Sequence, residues 1–176
     1  MKIAVLSGSS RPNGNTETLA LLAVEKHNYK LFNLKDYHIN PINDLRHDPN
    51  GFQPVNDDYE ELIKELLEYD VWVYATPIYW YGMSGVMKNF IDRWSQFLRD
   101  PQLQFKEKMS QKKAFVVTCG GDQAKIKGLP LIMQFKYIFD FVGMEFGGYV
   151  IGQASKPEDI NKDAHALEQA KSLLEV

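Results

Sequence analysis

"KIAVLSGSSRPNGNTETLALLA", residues 2–23, decides how the chain is read. The apolar run Ile3–Leu6 stops abruptly and gives way to ten small or polar residues, Ser7–Thr16, before helical spacing begins. A short, near-continuous apolar run is the mark of a parallel strand buried on both faces. Thr16–His27 then reads as a helix with Asn15 as its cap. A strand, a loop and a helix N-terminus in that order put unpaired N–H groups and the positive end of a helix dipole at one sheet edge, where anions bind. Gly8 and Gly14 let the backbone turn tightly, Ser9, Ser10, Asn15 and Thr16 carry short polar groups, and Arg11 adds a cation. A plain helix cap needs one such residue. The loop lacks the Lys-Ser/Thr ending of a Walker loop, and Gly8 and Gly14 stand too far apart for G-x-G-x-x-G.

Working outward, Tyr29–Leu34 is a second short strand, followed by a polar segment, Lys35–Val55, rich in turn signals. Tyr59, Leu62, Ile63, Leu66 and Leu67 have the spacing of an amphipathic helix, and Asp57 with Glu60 has that of a capping box. Val71–Ala75 is a third strand, stopping at Thr76-Pro77. A helix over about Ser84–Leu98 follows, with Phe90 and Trp94 on its core stripe. Ala114–Thr118 is the fourth strand. The next helix ends near Gly143; its stretch Leu129–Val142 reads as a buried helix of a soluble protein. "GYVIG", residues 148–152, is the fifth strand, and Pro157–Leu174 a last amphipathic helix. Strands alternating with helices predict one domain over 1–176, an α/β fold with a parallel sheet of order 2-1-3-4-5. Ligands of such sheets sit at the carboxyl ends of the strands, so the loops after strands one, three and four are where function is expected.

Composition narrows the partners. The chain has 176 residues, net charge -3 and one cysteine. Mild acidity offers no reason to expect nucleic acid or anionic membrane, and it is weak for a docking electron carrier. One thiol makes no internal disulfide and no cysteine-ligated cluster, which suits a cytoplasmic setting. The N-terminal apolar run is too short for a signal peptide or a spanning helix.

The third-strand loop, "TPIYWYGMSG" (residues 76–85), is unusually aromatic; Tyr79, Trp80 and Tyr81 would suit a flat ligand. The fourth, "TCGGD" (residues 118–122), permits close backbone approach. Cys119 reads as a core-edge residue rather than a nucleophile. The four histidines lack metal-ligand spacing, and nothing assigns a role to His38 or His47. An anion cradle beside a ring platform, without acid–base machinery, points to a cofactor that carries the chemistry. Some other phosphate ligand, in a nucleotide-binding module, is the weaker alternative.

At these residues the chain resembles a known family. "GSSRPNGNT" is similar to the phosphate loop of flavodoxin-like NAD(P)H-dependent FMN reductases and quinone reductases. "TPIYWYGMSGVMKNFIDRW" (residues 76–94) resembles their flavin-ring loop and following helix. The resemblance spans essentially the whole chain. It implies a flavodoxin-like three-layer sandwich holding one FMN, with NADPH or NADH as co-substrate and a quinone, azo, nitro or flavin acceptor. Ser9, Arg11, Asn15 and Thr16 would hold the phosphate. Pro77, Ile78, Tyr79, Trp80, Tyr81 and Gly82 would line the ring, and Cys119, Gly120, Gly121 and Asp122 would close its other side. It also implies a homodimer. Iron–sulfur relatives carry cysteines after strand two, where this chain has none. An electron carrier or flavin-binding regulator without turnover is the rival within the same fold.

Overall fold

In the computed structural model, which describes residues 1–175, five parallel strands form one sheet of order β2-β1-β3-β4-β5. The strands are β1 (Ile3–Ser7), β2 (Tyr29–Asn33), β3 (Val71–Pro77), β4 (Lys113–Gly120) and β5 (Glu145–Gln153). The helices are α1 (Asn15–Val24), α2 (Tyr59–Leu66), α3 (Gly85–Asp92), α4 (Trp94–Phe97), α5 (Phe105–Met109), α6 (Ala124–Lys127), α7 (Leu129–Val142) and α8 (Ala164–Ser172). Alternation along the strands splits the core in two. Ile3, Val5, Val73 and Val117 face α1 and α8, while Leu6, Trp72, Tyr74 and Val116 face the cluster built on α2, α3, α4 and α7. The topology and the flavodoxin-like layering are those the sequence predicts.

Several boundaries differ for local reasons. Gly14, not Asn15, occupies the cap position of α1. The expected capping box does not form: Asp58 precedes α2 without a side-chain cap bond, and Asp57 turns inward toward Arg93. The single helix expected over Ser84–Leu98 divides at Arg93. The next divides at Gly128, where Pro130, lacking an N–H, restarts the helix as α7. The short α5 carried no periodic signal. The last helix is a 3-10 turn, Asp159–Lys162, followed by α8. α7 is also less buried than expected: Leu131, Ile132, Phe135 and Phe139 enter the core, while Leu129, Met133, Tyr137 and Phe141 form an exposed ridge at i, i+4 spacing. Gly143 ends it at φ 81, the left-handed stop its position predicts.

Candidate functional site

The loops after β1, β3 and β4 meet at the carboxyl edge of the sheet around two adjoining recesses. One, of about 280 Å3, is walled by Ser9, Arg11, Asn15 and Thr16, by Pro77, Ile78 and Tyr79, and by Cys119, Gly120 and Gly121. The other, of about 220 Å3, is walled by Ile78, Trp80, Tyr81, Gly120, Gly121 and Asp122, with Lys127 added from α6. Ile78, Gly120 and Gly121 belong to both, so the two halves form one cleft. Each residue that the resemblance assigns to the cofactor borders it except Gly82, whose N–H and C=O are both bonded to Tyr79 at 3.0 Å; Gly8 and Ser10 of the first loop line neither recess. A wider groove of about 700 Å3 lies alongside. Its Lys125 and Lys162 are paired with Asp163 and Asp159, whereas the narrower cleft holds unpaired donors.

Those donors sit in the first half. Gly14 supplies no side-chain cap, and the N–H groups of Asn15, Thr16 and Glu17 have no protein partner among the described residues. The Asn15 side chain points elsewhere: its amide donates to Lys156 O at 2.8 Å and accepts from Ile160 N at 3.3 Å. What it brings to the cleft is its backbone. Ser9 shapes the loop, its hydroxyl donating to Arg11 O at 2.9 Å and accepting from Arg11 N at 3.2 Å. The buried Glu17 carboxylate accepts from Asn13 N at 3.2 Å, bracing Asn13 in a left-handed turn of φ 52. Arg46 and Arg93 are each paired with an aspartate, but Arg11 has no carboxylate partner among the described residues. Unpaired helix-terminal amides beside a free guanidinium fit a phosphate.

The second half is built on a tight hairpin. Tyr79 and Gly82 exchange two backbone bonds, and Trp80 (φ 49) and Tyr81 (φ 64) occupy its two central positions. Such turns favour Asn-Gly, because bulky residues are strained at positive φ. Two hydroxyls hold it: Tyr79 OH lies 3.2 Å from Ser10 Oγ, and Tyr81 OH donates to Asp122 Oδ2 at 2.8 Å. Tyr79 thus joins the hairpin to the first loop and Tyr81 joins it to the third. Trp80, at the tip, is 97% exposed. Behind the hairpin, Ser84 Oγ donates to Gly8 O at 2.7 Å and accepts from Met87 N at 3.2 Å, fastening the two loops together.

Cys119 is buried, and burial pushes its thiol up to about 12, so it is no nucleophile at neutral pH. His38 and His47 border neither recess. Sequence reasoning missed Pro12, Asn13, Ala154, Ser155 and Pro157, which also line the phosphate half. The "ASKP" segment, residues 154–157, follows the last strand of the sheet and so had to reach the same edge.

With this geometry in view, likeness to known proteins bears on the ligand. The family model for NADPH-dependent FMN reductases matches residues 1–153. A Bacillus subtilis (strain 168) protein, provisionally named an NAD(P)H-dependent FMN-containing oxidoreductase, is 53% identical over 99% of this chain and 97% of its own. The solved structure of the Trp repressor binding protein from Bacillus subtilis superposes with a TM-score of 0.83 at 48% identity, covering 98% of this chain and 99% of that one. An iron–sulfur flavoprotein of Methanocaldococcus jannaschii is 30% identical over 98% of this chain and 93% of its own. This chain's single cysteine cannot supply the ligands of a cysteine-bound cluster.

Proposed function

The chain belongs to the NADPH-dependent FMN reductase family, and from that premise we propose how its cleft serves the reaction. It is an NAD(P)H-dependent, FMN-containing oxidoreductase. The unpaired amides of Asn15, Thr16 and Glu17, with Arg11, hold the FMN phosphate; this set of orphan donors beside an aromatic recess carries the reading. Ile78, Tyr79, Trp80 and Tyr81 on one side and Gly120, Gly121 and Asp122 on the other enclose the ring. Held there, FMN would supply the redox chemistry that links NAD(P)H oxidation to reduction of a second substrate. The exposed hairpin admits flat acceptors such as a quinone, an azo or nitro compound, or free flavin.

The test is an anaerobic titration of the purified protein. A flavin spectrum is expected that bleaches on adding NADPH or NADH. A bound flavin that neither nucleotide bleaches would sink the reductase reading and leave an electron carrier or a regulator in its place. The phosphate site has its own check. Arg11→Ala is expected to raise the FMN dissociation constant about tenfold or more, the worth of a hydrogen bond to a charged group. Arg46→Ala should leave it unchanged, because that guanidinium is bonded to Asp44 at 2.8 and 2.6 Å in a separate loop. Equal constants in the two variants would refute this assignment.

The working unit is proposed to be a homodimer in the cytoplasm. The exposed ridge Leu129, Met133, Tyr137 and Phe141 supports it, since Tyr137 and Phe141 line an apolar groove with Ile91 and Leu98 that a second copy would cover. A sedimentation mass of one 20.3 kDa chain at micromolar concentration would overturn the dimer. No helix among the described residues is long and apolar enough to cross a membrane.

A further inference from the structure

We propose that Lys127 sets the reduction potential of the flavin held in this cleft, by placing a fixed positive charge at its ring half. The inference rests on the FMN reading above. Lys127 ends α6 and is the one cation that borders the ring recess among the described residues; Arg11 lies in the other half. Its place is set by its neighbours. Nζ donates to Asp122 Oδ2 at 2.7 Å, the oxygen that also accepts from Tyr81 OH at 2.8 Å. The ammonium stands 5.8 Å from the centre of the Tyr81 ring. Side chains from the hairpin and α6 therefore converge on a single carboxylate oxygen of the β4 loop.

Stability does not explain this arrangement well. The pair is about half exposed, with side-chain exposures of 40% and 57%, and such pairs contribute little to folding. Its electrostatic consequence is larger. Hydride transfer from NAD(P)H, which departs as NAD(P)+, brings two electrons and one proton to the ring and so adds one negative charge. A cation beside the ring favours the reduced form over the oxidised one. Asp122 borders the same recess with the opposite charge, so Lys127 acts by offsetting that carboxylate beside the ring; removing the ammonium would leave the negative charge uncompensated and disfavour the reduced flavin. The Asp122 hydrogen bond also holds the Lys127 pKa above its ordinary value, so the ammonium stays charged at working pH. An ammonium has three donors, of which Asp122 takes one.

The experiment is a redox titration of the FMN-loaded protein against a reference dye, in wild type, Lys127→Gln and Lys127→Arg. The dissociation constant of oxidised FMN is measured alongside by fluorescence. In Lys127→Gln the binding of reduced FMN relative to oxidised FMN is expected to weaken about tenfold, a fall in midpoint of about 30 mV for two electrons. Oxidised FMN should bind within about threefold of wild type, and Lys127→Arg should restore most of the midpoint. An unchanged midpoint in Lys127→Gln overturns the proposal, and so does an equal loss of both oxidation states, which would make Lys127 a simple retention contact. Wild-type protein that binds no FMN would instead overturn the functional reading on which the proposal stands.

Discussion

Arg93→Ala is expected to lower the stability of this domain by about 3–5 kcal/mol, a fall in melting temperature on the order of 10 °C. Arg93 and Asp57 form an ion pair at 2.5 Å with side-chain exposures of only 2% and 1%. The guanidinium also donates to Asn40 O at 2.8 Å and to Gln96 Oε1 at 2.7 Å, and it lies 4.6 Å over the Tyr59 ring. Asn89, four residues earlier, donates to Ile39 O at 2.8 Å. Together these bonds pin the long segment between β2 and α2 onto α3. Removing the guanidinium strands a buried carboxylate, which costs more than the pair contributes when intact. The double variant Arg93→Met with Asp57→Asn should be more stable than Arg93→Ala, because no lone charge remains and the amide oxygen can still accept from one of the two N–H groups, Asn40 N or Tyr59 N, that bond the separate carboxylate oxygens of Asp57. Thermal melts of the three proteins decide it; a double variant no better than Arg93→Ala would show that packing, not the charge, is at stake. Acid should act through the same carboxyl. Burial opposes ionisation of Asp57, but bonds from Arg93, Asn40 N and Tyr59 N outweigh it and hold the pKa below the ordinary value. A depressed carboxyl contributes stability that is fully present above its unfolded pKa, about 3.9, and is lost as pH falls through the lower folded value.

This pair also shows what the sequence reveals and what it hides. "KNFIDR", residues 88–93, helped carry the family resemblance, yet Asn89 and Arg93 border neither recess and hold the β2–α2 segment instead. A motif locates a neighbourhood; it does not say which members touch the ligand. The strands were legible because Ile3–Leu6 and Val71–Ala75 are apolar on both faces, and α2 because its stripe repeats cleanly. Asp57 was misread because a capping box is a purely local pattern, and its real partner lies 36 residues away. The break at Arg93 has the same origin. The Trp80-Tyr81 turn was illegible for the opposite reason: local preference argues against it, and Ser10 and Asp122, distant in sequence, help to hold it through the Tyr79 and Tyr81 hydroxyls. Lys127 was out of reach for want of a known end to the β4 loop. Once α6 begins at Ala124, the Lys127 side chain comes back over Asp122.

Ser84→Ala should couple stability to cofactor binding more tightly than any other substitution at the cleft. Ser84 is 2% exposed and caps α3, where loss of the hydroxyl alone costs roughly 1 kcal/mol. Its hydroxyl also supplies the hydrogen for Gly8 O, while its own N–H donates to Thr76 Oγ1 at 3.0 Å. Alanine leaves the Gly8 carbonyl buried and unpaired, adding about 1–3 kcal/mol, so a total of about 2–4 kcal/mol is expected. There is no slack for the loop to resettle: a Cβ at Gly8 would already lie 2.9 Å from Met87 Cβ. The first loop would keep only the more exposed Tyr79–Ser10 contact to the ring hairpin, and the phosphate amides would be held less firmly at their distance from the aromatic recess. A ligand that must span both halves of the cleft is sensitive to that distance, whereas inorganic phosphate, which needs only the first half, is not. FMN affinity should therefore fall on the order of tenfold, with phosphate competing at its wild-type concentration. Calorimetric titration with both ligands, beside a denaturant melt, reads the three quantities together. Unchanged FMN affinity in a destabilised Ser84→Ala would mean that the phosphate loop holds its geometry alone, through Glu17 and the Asn15 amide, and that the Ser84 bridge serves the fold rather than the site.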